Sequence, residues 1–93
     1  MNAHKLYKTA WEHWGEQAQL IVFMEELMEL GHEIARRLRG NDNEAALEEE
    51  MADVTIMMDQ YAAVYPASAA RVWAKVRDKR ARLAGRLEVD NDD

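Results

Sequence analysis

Two pairs of carboxylates interrupt otherwise apolar stretches of this chain at helical spacing, Glu26-x-x-Glu29 and Glu50-x-x-Asp53. Residues three apart project from the same face of a helix, so each pair presents two acids side by side. The surroundings are not those of a solvated acidic stripe. Glu25, Glu26 and Glu29 break up Leu20-Ile21-Val22-Phe23-Met24 and Leu27-Met28-Leu30, and Asp53 sits inside Met51-Ala52-Asp53-Val54-Thr55-Ile56-Met57-Met58. An unpaired charge among residues that seek a core is expensive. Like charges brought close repel and raise one another's pKa unless a cation sits among them. The pattern therefore predicts two neighbouring helices whose four acids converge on a hard cation. Carboxylate oxygens, with no His or Cys requirement, suit Mg²⁺, which keeps some of its waters and accepts phosphate oxygens as further ligands.

Composition narrows what can surround such a site. A chain of 93 residues is one domain, residues 1–93, near the small end of what buries an adequate core alone. It is 48% hydrophobic with four Gly and one Pro, which favours a helical globule over a disordered chain or a β-sandwich. So many Met, Leu and aromatic residues in so small a domain point to self-association, a homodimer or homotetramer. The net charge of −6 argues against broad binding to nucleic-acid phosphates. The absence of Cys excludes a disulfide framework, thiol catalysis and a zinc–thiolate site. The aliphatic run Leu20 to Met24 is too short for a membrane span or a signal segment, so a cytoplasmic protein with no membrane partner is expected.

Four helical segments follow from periodicity and punctuation, and the fold class expected is all-α, an antiparallel bundle of about four helices joined by short turns. The first runs from about Ala3 to Trp14, with Gly15 breaking or bending it. The second runs from about Glu16 to Arg39 and is apolar on several sides, as a helix with more than one neighbour should be. Gly40 suits the position after its end, and Asp42 or Asn43 is placed to cap the third helix, about Glu44 to Tyr65. Pro66 ends that helix, and Ser68 is placed to cap a fourth through about Leu87. The acidic tail, residues 88–93, is expected to fray.

The string Glu25-Glu26-x-x-Glu29 followed by Glu50-x-x-Asp53 resembles the signature of the all-α nucleoside triphosphate pyrophosphohydrolases, the superfamily of MazG proteins, dimeric dUTPases, dCTP pyrophosphatases and phosphoribosyl-ATP pyrophosphohydrolases. The stretches Trp14-Gly15-Glu16-Gln17-Ala18-Gln19-Leu20 and Glu49-Glu50-Met51-Ala52-Asp53-Val54-Thr55-Ile56-Met57-Met58-Asp59-Gln60 resemble the small MazG-like proteins of phages and bacteria. The resemblance spans about Trp14 to Leu87. It implies a MazG-like bundle in which Glu26, Glu29, Glu50 and Asp53 ligate Mg²⁺, or Mn²⁺ in its place. It further implies hydrolysis of a nucleoside triphosphate at the α–β linkage to the monophosphate and pyrophosphate, in the service of nucleotide-pool sanitation. Glu25 is then a candidate general base or second-metal ligand. Lys75, Lys79 and Arg80 resemble late basic residues that contact phosphates, although a solvated basic face reads equally well there.

Other residues carry weaker signals. Trp14 and Trp11 can stack on a base, but a core or interface role suits both better. Asp59 and Gln60 read as supporting groups or exposed positions, Glu49 as a capping or solvated acid, and Glu33 and Glu48 as solvated. Glu29-x-x-His32 matches an element of di-iron carboxylate bundles, which keeps a ferroxidase or iron-storage reading as one alternative. A catalytically silent helical interaction module is the other.

Overall fold

A computed structural model describes residues 1–91, with side-chain environments through Glu88. The described chain is all-helical: α1 Ala3–Trp14, α2 Glu16–Leu38, α3 Glu44–Val64 and α4 Pro66–Asn91. Each boundary has a local cause. Asn2 caps α1, its side-chain oxygen accepting from the Lys5 amide at 2.9 Å. Gly15 breaks the chain rather than bending it. Its φ of 88° and ψ of 159° belong to a region that only glycine enters freely, which lets α2 begin one residue after α1 ends. Gly40, at φ 92°, closes α2 and donates to the Arg37 carbonyl at 3.0 Å.

At the α3–α4 junction a single residue, Tyr65, separates the helices. The proline that follows keeps Tyr65 out of helical geometry, and Pro66 itself is the first helical residue of α4, where its missing N–H costs nothing. Ser68 therefore does not cap α4 but lies inside it, its hydroxyl 2.6 Å from that of Tyr61. The helix also runs past Leu87 to Asn91, while 92 and 93, the end of the expected acidic tail, lie outside the described residues.

Helices α2 and α3 run antiparallel across the short turn and share the most extensive contact. Gln19 faces Gln60, Glu26 faces Asp53 and Glu29 faces Glu50. These pairs have a constant sum of residue numbers, as antiparallel pairing in one register requires. Helix α1 packs on both, and its Trp11 meets Tyr65 edge to face at 5.6 Å. Among the described residues the buried apolar side chains are few: Trp11, Val54 and Met57. Among the described residues, α4 contacts α3 and no other helix. The bundle thus consists of α1, α2 and α3, with α4 leaving it as an arm. The radius of gyration is 16.9 Å, against about 12 Å for a compact chain of this length.

Candidate metal centre

The α2–α3 seam carries polar side chains at several facing positions where a packed helix pair would carry apolar ones. Its two ends are hydrogen-bonded across the seam, although the side-chain oxygen of Asn43 is itself buried without a partner. At one end Gln60 and Gln19, both buried, share a hydrogen bond of 2.7 Å donated by the Gln60 amide. At the other, the Asn43 amide donates to both the backbone carbonyl and the side-chain carboxylate of Glu33, each at 2.9 Å. Arg36 adds an ion pair to Glu33 at 2.7 Å. The bond from Asn43 is the main cause of a Glu33 pKa below the usual carboxylate value, with Arg36 assisting and burial opposing. Two expectations are corrected here. Glu33 is a buried structural acid, not a solvated one. Asn43 stands at the start of α3, but its side chain reaches back to α2 instead of capping α3.

Between these ends lies the carboxylate cluster. Glu26 and Glu29 from α2 and Glu50 from α3 each offer an oxygen, and the three oxygens lie within 4.8 Å of one another. Oxygens around a Mg²⁺-sized ion at about 2.1 Å are separated by at most roughly 4.2 Å, so a slight closure of rotamers brings the set to coordination distance. Asp53 stands against Glu26 but outside this mutual set, with much of its side chain in solvent. The Glu26 pKa is raised, first by burial and then by the charges of Glu29, Asp53 and Glu50. That of Glu50 is raised likewise, first by burial and then by Glu29. Both shifts have the same origin: burial and neighbouring like charge disfavour the ionised form of these two acids. One oxygen of Glu26 and one of Glu50 are buried without any hydrogen-bond partner. An orphaned, buried anionic oxygen is costly, and a cation between them satisfies both. The donor set and its unmet demand fit a hard divalent ion.

Compared with models of protein families, with curated proteins and with solved structures, the chain matches none. The functional reading therefore rests on the residues themselves.

The remaining candidates are placed as follows. Glu25 is exposed on α2, outside the triad. Lys75, Lys79 and Arg80 lie on α4, which does not contact α2, so within one chain they are not brought against the carboxylates. None of them forms an ion pair among the described residues. Trp11 is core, as expected, whereas Trp14 is 61% exposed, its ring edge to face with that of His13 at 5.0 Å. His32 is exposed and not part of the cluster. Gln60 is a buried partner of Gln19, while Asp59, Glu48 and Glu49 are exposed. Sequence reasoning passed over Gln19, Asn43 and the true role of Glu33. The signal was available in their spacing: positions 19, 26, 29 and 33 all fall on the face of α2 that meets α3. No described helix is long and apolar enough to cross a membrane.

Proposed function

We propose that this chain is a Mg²⁺-dependent nucleoside triphosphate pyrophosphohydrolase of the MazG-like kind, producing a nucleoside monophosphate and pyrophosphate. The observation that carries the reading is the convergence of Glu26, Glu29 and Glu50 from two antiparallel helices, with a buried oxygen on each of Glu26 and Glu50 lacking any partner. Glu26, Glu29 and Glu50 would hold the ion, with Asp53 closing the set from beside Glu26. Mn²⁺ suits the same donors. When bound, the ion neutralises phosphoryl oxygens and makes water a competent nucleophile near neutral pH. The chain's own contribution is positional. The Gln60–Gln19 and Asn43–Glu33 hydrogen bonds at the two ends of the seam join α2 and α3 in the register that sets the carboxylates opposite one another. Glu25, exposed at the margin of the cluster, is available to accept a proton from solvent water. Lys75, Lys79 and Arg80 are the cations available for a triphosphate, provided another chain presents them to this site.

An oxygen-only donor set, with His32 outside it, favours Mg²⁺ over the di-iron alternative. The test is a panel of canonical and modified ribo- and deoxynucleoside triphosphates, with and without Mg²⁺, with the products separated. Monophosphate and pyrophosphate, formed without a diphosphate intermediate and only with the metal, is the expected result. Orthophosphate as the sole inorganic product would indicate a different phosphatase chemistry. Ferrous oxidation with no nucleotide turnover would overturn the reading in favour of a di-iron protein.

A further inference from the structure

The margin of α2 beside the carboxylate cluster carries its polar side chains in a definite order. Glu25, Glu29, His32 and Arg36 follow at steps of four, three and four, so they form one row along the helix. Glu29 joins that row to the cluster itself. The acids occupy the half of the row nearer the start of α2, and the nitrogen side chains the half nearer the turn to α3.

Arg36 is the member of this row whose position is fixed by neighbours. Its guanidinium donates to the Glu33 carboxylate at 2.7 Å, and the Asn43 amide holds the same carboxylate oxygen at 2.9 Å. Helical side chains lean toward the start of their helix, and the bond back to Glu33 shows that Arg36 does so. The guanidinium therefore lies near the level of Glu33, about 6 Å of helix past Glu29. Glu33 is close enough to the cluster for its charge to act on Glu50. A positive charge thus stands one side chain away from the cluster, within the same chain. Lys75, Lys79 and Arg80 differ in this respect, because α4 does not contact α2.

The guanidinium also has donors to spare. It carries five N–H groups in a planar fork that matches carboxylate and phosphate oxygens. Among the described residues only Nη1 is engaged, and 37% of the side chain is open to solvent. A cation that served only to neutralise Glu33 would not need an open side. The other end of the seam is different in kind, closed by the neutral amides of Gln19 and Gln60.

We propose that Arg36 binds the terminal phosphate of the polyphosphate substrate, so that the substrate lies along the seam with one polarity. Its pyrophosphate half points to the α2–α3 turn, and its nucleoside points toward the Gln19–Gln60 end. Asn43 and Glu33 are positioning residues that hold the guanidinium in place. The inference rests on the pyrophosphohydrolase reading for the identity of the substrate.

The test is calorimetric titration of pyrophosphate in Mg²⁺ into the full-length parent, Arg36→Gln, Arg36→Lys and Arg37→Gln, with melting curves to confirm that each is folded. Arg37 is exposed on the same helix but outside the row, so its variant makes the same change of charge at a bystander position. Parent and Arg37→Gln should bind pyrophosphate alike. Arg36→Gln should bind at least about tenfold more weakly, as the loss of hydrogen bonds to a charged group implies. Arg36→Lys should fall between, since it keeps the charge and loses the fork; if Arg36→Gln does not fold, the Lys variant decides. Inhibition of turnover by a nucleoside monophosphate should be the same in parent and Arg36→Lys. Equal pyrophosphate affinity in parent and Arg36 variants, equal losses at Arg36 and Arg37, or a parent that binds no pyrophosphate overturns the proposal. Weaker monophosphate inhibition in Arg36→Lys overturns the polarity. Failure of the pyrophosphohydrolase reading shows separately, as a parent that turns over no nucleotide, and leaves the pyrophosphate affinities to decide the role of Arg36.

Discussion

The middle of the α2–α3 seam and its ends are built from the same kinds of residue, yet they solve burial in opposite ways. At the ends, Gln60 answers Gln19, while Asn43 and Arg36 answer Glu33, so the polar groups hold the helices together. In the middle, Glu26, Glu29 and Glu50 answer one another only with like charge. A seam meant only for stability would have apolar residues there, because replacing buried charge with well-packed hydrophobic groups is commonly neutral or favourable. The hydrogen-bonded ends join the two helices in register, and the proposed function gives the middle a ligand of opposite sign.

The comparison breaks most visibly in catalysis. Glu29→Gln and Glu50→Gln are each expected to lower nucleotide turnover by at least about a hundredfold, since even partners one step removed from a metal commonly cost ten- to a hundredfold. Glu48→Gln, on an exposed position of the same helix as Glu50, leaves turnover near that of the parent. Equal losses in all three, measured as pyrophosphate release, would remove the distinction between cluster and surface.

Next in size is the effect on folding at the clamped end. Asn43→Ala takes away the donor to the Glu33 carbonyl and carboxylate and should cost about 2 kcal/mol in denaturant unfolding. Glu33→Gln should also destabilise, by losing the ion pair with Arg36. Glu26→Gln in EDTA should leave stability unchanged or slightly raised, because it removes a repelled charge. A fall in stability for Glu26→Gln as large as that for Asn43→Ala would show that Glu26 is a satisfied structural group.

The two regions should also respond oppositely to acid. The pKa values of Glu26 and Glu50 are raised above 4.5 in the folded state, so their favourable contribution is present below the ordinary value and is lost as pH rises through the raised ones. Glu33 is lowered, so its contribution is present above the ordinary value and is lost as pH falls through the lowered one. In EDTA, stability should therefore rise as pH drops from neutral toward the ordinary carboxylate range, then fall below it. Glu33→Gln should flatten the acid limb only, and Glu50→Gln the upper limb only.

Much of this was legible in the sequence, for reasons that can be named. Helix existence followed from periodicity, and Gly15, Gly40 and Pro66 marked the joints because their backbone preferences act locally. That Glu26 and Glu29 share a face of α2, and Glu50 and Asp53 one of α3, was legible because an i, i+3 pair needs no tertiary information to do so; of the four acids expected to converge, three do and Asp53 stands outside the mutual set. What escaped depended on partners distant in sequence. Glu33 looked solvated because nothing nearby announces that Asn43, ten residues on, turns back to bind it. Gln60 gave no sign of its partner Gln19 until the register of α2 on α3 was known. The departure of α4 from the bundle was hidden for the same reason. Only the contacts reveal that α4 meets α3 and neither α1 nor α2 among the described residues.

The central claim is that the middle of the seam awaits a cation, and thermal melting tests it most directly. Parent and Glu50→Gln are melted in EDTA and in millimolar Mg²⁺ at neutral pH. An ion that binds only the folded state stabilises it in proportion to the logarithm of its excess over the dissociation constant. The parent should melt clearly higher with Mg²⁺, and Glu50→Gln should shift much less while matching or exceeding the parent in EDTA. Equal shifts for the two proteins, or none for the parent, would contradict the account.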